Sequence, residues 1–70
     1  MNNYQVRIRK ADGFWIVHLK NVGCTKIFSS AEDALQFKNA FDNLELPKGS
    51  SVMNCRRNAR KAFWKLIEEV

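Results

Sequence analysis

From Tyr4 to Lys10, apolar and polar residues alternate, with Tyr4, Val6 and Ile8 on one side and Gln5, Arg7 and Arg9 on the other. This is the two-residue period of a half-buried strand. Asp12-Gly13 follows, and a second alternating run begins at Phe14. Asp-Gly between such runs predicts a two-residue hairpin, because a type I′ turn needs positive φ at both central residues. That turn pairs Lys10 with Trp15, Ile8 with Val17 and Val6 with Leu19 on a core face. On the opposite face it pairs Arg9 with Ile16, Arg7 with His18 and Gln5 with Lys20, leaving that face basic and polar with a single isoleucine.

The next connection reads as a three-residue loop, Asn21-Val22-Gly23, with Gly23 in the left-handed position. Its register sets Val17 against Ile27 in the core and His18 against Lys26 outside. A two-residue turn at Val22-Gly23 would carry Lys26 into the core and is rejected. The facing of Phe28 stays open. Strands are therefore predicted at 4–10, 14–20 and 24–28.

Ser30 then precedes Ala31-Glu32-Asp33, a hydroxyl cap followed by acids where the positive end of a helix favours them. Ala31, Ala34, Leu35, Phe37 or Lys38, Phe41 and Leu44 recur at helical spacing, which predicts a helix over 31–43 laying Leu35, Phe41 and Leu44 on the sheet. Pro47 and Gly49 mark a linker over 45–50. Ser50 or Ser51 caps a second helix over 51–69, with Val52, Ala59, Phe63, Leu66 and Val70 in one stripe and Cys55, Ala62 and Ile67 beside it. Arg56, Arg57, Arg60, Lys61 and Trp64 fall largely on the other side, and Glu68 and Glu69 oppose the helix dipole at its end.

The fold class is α+β: a three-stranded antiparallel sheet with one helix packed on one face and a second, C-terminal helix. At 70 residues there is room for one domain, with the sheet and first helix over 1–44 and the basic helix over 51–70. One sheet face is left bare.

Charge sharpens this picture. Residues 1–30 carry Arg7, Arg9, Lys10, Lys20 and Lys26 against Asp12 alone, and residues 50–70 carry Arg56, Arg57, Arg60, Lys61 and Lys65 against Glu68 and Glu69. The middle of the chain is net acidic, so the overall +5 is segregated and implies a polarised surface or, more plainly, solubilising charge. Hydrophobic content of 46% argues against a disordered chain. Two widely separated cysteines, Cys24 and Cys55, read as free thiols in a reducing compartment. No apolar run approaches the roughly 20 residues of a membrane span, and the first residues lack the charged start and apolar stretch of a signal peptide. A soluble cytoplasmic protein is expected.

Catalytic chemistry is thin. His18 is the one histidine, and no carboxylate or nucleophile converges on it by spacing, so it reads as a surface or phosphate-contacting residue rather than a general base. Cys24, His18 and Cys55 do not make the paired ligand set of a zinc site. No cofactor loop is present, since Gly13 and Gly23 belong to hairpins and Gly49 to the linker. Trp15 reads as core, and Trp64 as either core edge or binding surface.

The basic strand Tyr4-Gln5-Val6-Arg7-Ile8-Arg9, the Asp12-Gly13 hairpin followed by Phe14-Trp15, and the run Phe28-Ser29-Ser30-Ala31-Glu32-Asp33-Ala34 resemble the Apetala or ethylene-response-factor type of DNA-binding domain. They are also similar to the amino-terminal arm-binding domains of phage and transposon integrases. The resemblance covers 4–43. It implies a sheet face that enters the major groove, with Arg7, Arg9, His18, Lys20 and Lys26 as contacts and a role as a small phage or mobile-element regulator. Ile16 departs from the more polar pattern usual on that face.

Duplex DNA is thus the favoured partner, with no enzymatic activity. Arg56, Arg57, Arg60 and Lys61 either extend the phosphate contacts, lie solvated on a helix that closes the core, or meet another protein or an anionic membrane surface. The competing class is a protein-interaction module, an inhibitor or adaptor docking by the sheet face, the edge of the third strand or the second helix. RNA is disfavoured because the face lacks stacking aromatics unless Phe14 or Phe28 points outward.

Overall fold

A computed structural model of the chain describes residues 4–47 and 49–69. Three strands, β1 (Val6–Ala11), β2 (Phe14–Leu19) and β3 (Cys24–Phe28), precede two helices, α1 (Ala31–Asp42) and α2 (Val52–Glu69). The strands form one antiparallel sheet in the order β1-β2-β3. This is the α+β arrangement that the alternation and capping signals predict, with Tyr4 and Gln5 lying before the first strand.

Asp12 and Gly13 have φ of 53° and 81°, the pair of left-handed residues a type I′ turn requires. The register that follows has Lys10 opposite Trp15, Ile8 opposite Val17 and Val6 opposite Leu19, as predicted. The Lys10 ammonium lies 5.4 Å from the centre of the Trp15 ring, a cross-strand cation–π contact.

The β2–β3 register differs from expectation by one residue. Leu19 faces Cys24, so the connection is four residues long, Lys20 to Gly23. Asn21 (φ 69°) and Gly23 (φ 80°) are both left-handed, and between them Val22 turns into the core. Val17 therefore faces Lys26, His18 faces Thr25, and Ile16 faces Ile27. Ile27, expected in the core, is 57% exposed on the outer face. Lys26, expected outside, stands in the row that faces the helices. Lys26 is tolerated there because β3 is an edge strand on which its side chain stays exposed, with the ammonium in water.

Ser30 Oγ accepts a hydrogen bond from the Asp33 amide and caps α1. The helix buries Ala34, Phe37 and Phe41. Leu35, expected on the sheet, is instead 52% exposed; it lies six residues before Phe41, about 120° away around the helix. Leu44 does pack on the core. At α2 the capping hydroxyl is that of Ser51, which accepts from the Asn54 amide. Ala59 and Phe63 are buried, with Cys55, Ala62, Leu66 and Ile67 half-buried. Val52, expected in the same stripe, is exposed at the first position of the helix. Val70 lies outside the described residues.

All five elements supply one hydrophobic cluster, from Val6, Val17, Leu19 and Cys24 of the sheet to Phe37, Phe41 and Phe63 of the helices. Phe37 is its centre: ring centroids lie 5.0 Å away at Phe63, 5.7 Å at Phe28 and 6.4 Å at Phe41. Phe28 thus points inward. The linker is tied to α2: Asn58 Nδ2 donates to the Pro47 carbonyl at 3.2 Å. A Cβ added at Gly49 would lie 2.7 Å from the Cys55 amide nitrogen, so glycine is what lets the linker approach the helix. No described helix is long and apolar enough to cross a membrane.

Candidate nucleic-acid interface

The helices occupy one side of the sheet, and the strand alternation sends the remaining side chains to the other. Three cross-strand rows make up this outer face: Arg7, His18 and Thr25; Arg9, Ile16 and Ile27; and Ala11 with Phe14. Arg7 and Arg9 are exposed and His18 is half-buried. Arg7 also helps line a depression of about 170 Å³ with Tyr4, Gln5, Lys20 and Asn21, so Lys20 lies at the Arg7 end of the face.

The face is more apolar than the alternation of the first two strands alone implies. The corrected register adds Ile27 beside Ile16, and Phe14, 51% exposed, stands in the next row. Sequence reasoning missed Ile27 because its register depended on loop length, whereas the outward facing of Phe14 was available from the phase of Ile16 and His18.

The other expected contacts are not on this face. Lys26 stands in the helix-side row. Arg56, Arg57, Arg60 and Lys61 are exposed on α2. Arg60 and Trp64 sit beside the Cys24 thiol, at the start of β3, and Phe63 packs on Phe37, which places this part of α2 on the helix side of the sheet. Burial pushes the Cys24 thiol above its ordinary 9.0, and the neighbouring Arg60 and Trp64 partly oppose that rise. Trp64 is 43% exposed, with its ring edge-on to Phe63, so it serves the core edge and keeps a free surface.

Among the described residues, the one ion pair is Lys38 with Asp42, at 2.6 Å within α1. The cations of the outer face and of α2 thus have no carboxylate partner among those residues. The same residues bury no polar or charged side chain and contain no group of three potential metal ligands. The chain matches no family model, no curated protein and no solved structure.

Proposed function

We propose that this chain is a small cytoplasmic protein that binds duplex DNA without catalysing a reaction, using the outer face of its sheet in a regulatory role of phage or mobile-element type. The observation that carries the reading is the display of Arg7 and Arg9, with His18, on a sheet face that neither helix covers and no acid among the described residues neutralises. Unpaired cations on a flat strand surface suit a polyanion, and releasing its counterions drives association. Three strands about 4.8 Å apart span roughly 10 Å, close to the ~12 Å width of the major groove. Arginine can reach guanine edges there, and Ile16, Ile27 and Phe14 offer apolar surface to thymine methyls. Two free thiols agree with a reducing compartment.

Anisotropy titration of a labelled duplex over a range of salt tests the reading. Replacing Arg7 and Arg9 together by alanine should cost ~1–3 kcal/mol for each base edge that an arginine no longer reads. It should also flatten the salt slope by about 0.9 for each phosphate left unneutralised. Both side chains are exposed, so the fold should survive. Full affinity in the double variant would remove the sheet-face mechanism.

The apolar row favours a second reading, a protein partner docked on the same face. In that case Ile16→Glu would abolish partner capture, the Arg7 and Arg9 variant would leave it nearly intact, and duplex binding near physiological salt would be absent.

A further inference from the structure

We propose that α2 carries a second duplex-binding surface, separate from the outer sheet face, so that one copy of the chain joins two DNA segments. The proposal rests on the DNA-binding reading of the sheet face and goes beyond it. Arg56, Arg57, Arg60, Lys61 and Lys65 are all exposed, and no acid falls within residues 50–67. Glu45 and Glu69 line a groove with Lys65, so the acid-free part of the surface is Arg56, Arg57, Arg60 and Lys61. They amount to a second cationic surface of the same chemical kind as the first, and none has an ion-pair partner among the described residues. Its complement is therefore another polyanion.

Position separates the two surfaces. Phe63 of α2 packs on Phe37 at 5.0 Å, within the core cluster that holds Cys24, Leu19 and Val6 of one helix-side row, and Arg60 lies beside Cys24. Arg7 and Arg9 occupy the opposite side of the same sheet. The molecule measures 40 × 19 × 19 Å, and its short dimension equals roughly six base pairs of duplex at 3.4 Å each. A duplex with a persistence length of about 150 base pairs does not fold back around so narrow a body. A straight duplex seated on the sheet face leaves the α2 cations free for a second one.

A bridging assay tests this directly, with the full chain, a bead-bound duplex and a fluorescent duplex of the same sequence. The wild-type chain should retain the fluorescent duplex on the beads. The triple variant Arg56→Ala, Arg57→Ala, Lys61→Ala should lose at least about nine-tenths of that retention while binding a single duplex in anisotropy to within a few-fold of wild type. Arg60 is left in place because it lies beside Cys24. Lysine at positions 56 and 57 should preserve bridging, which distinguishes lost charge from a damaged helix. Sedimentation should give one protein in the joined complex.

Duplex binding without bridging would overturn the inference and leave the sheet-face reading standing. Bridging that survives the triple variant, or a joined complex with two proteins, would overturn it in favour of self-association. Absence of any duplex binding would overturn both readings.

Discussion

The Cys24 thiol is buried at the head of β3, while Cys55 is half-buried beside the linker, where its sulfur lies 4.0 Å from the Gly49 carbonyl oxygen. Loss of solvation is the larger influence on Cys24 and raises its ionisation above the ordinary 9.0, against the pull of Arg60 and Trp64. Thiolate is the reactive form, so in the native protein iodoacetamide should label Cys55 well before Cys24, as peptide mass spectrometry would read. Both should label at once after unfolding without reductant; equal native rates would contradict the burial. The same shift carries a pH consequence. The folded value exceeds the unfolded one, so this group's contribution to stability is fully present below the unfolded value, near 9.0, and is lost as pH rises through the folded value. Denaturant midpoints should fall in that alkaline range, and Cys24→Ala should remove its part of the decline.

At the scale of elements, the β2–β3 pairing makes its own prediction. With Ile27 on the outer face opposite Ile16, Ile27→Lys should change stability by no more than about 0.5 kcal/mol in urea unfolding. In the register that puts Ile27 against Val17, the same change would remove an apolar side chain from the core and cost about 1.5–3 kcal/mol of lost burial. The β1–β2 hairpin was legible from sequence because Asp12-Gly13 admits one turn and every apolar residue of both strands then agrees in phase. The second hairpin was not, for two reasons. Its loop hides a core residue, Val22, between two left-handed positions. The Lys26 rule also loses its force on an edge strand, where a lysine can occupy an inner row without being buried. In α1 the capping Ser30 marked the start. The spacing of Ala34, Phe37, Phe41 and Leu44 places those four on one stripe that leaves Leu35 outside it, so this part of the core was legible in the sequence although the expectation put Leu35 there.

For the molecule as a whole, the sequence located Arg7, Arg9 and His18 on one face correctly and wrongly added Lys26 to it, because the length of the second loop sets that register. The fold distributes the cations over two sides, and this makes each side separately addressable by mutation. Lys26 has a different consequence, for life at high concentration. A three-stranded sheet has two open rims, and β3 offers its unpaired backbone groups to any passing strand, including that of another copy. A charged side chain in the inner row of such a strand would have to be desolvated on docking edge to edge, so Lys26 acts as a gatekeeper against ordered aggregation. Lys26→Ile should leave the fold intact, as circular dichroism would report, and yet raise light scattering and make thermal unfolding less reversible. Lys26→Glu, which keeps a charge at the rim, should stay as soluble as the parent.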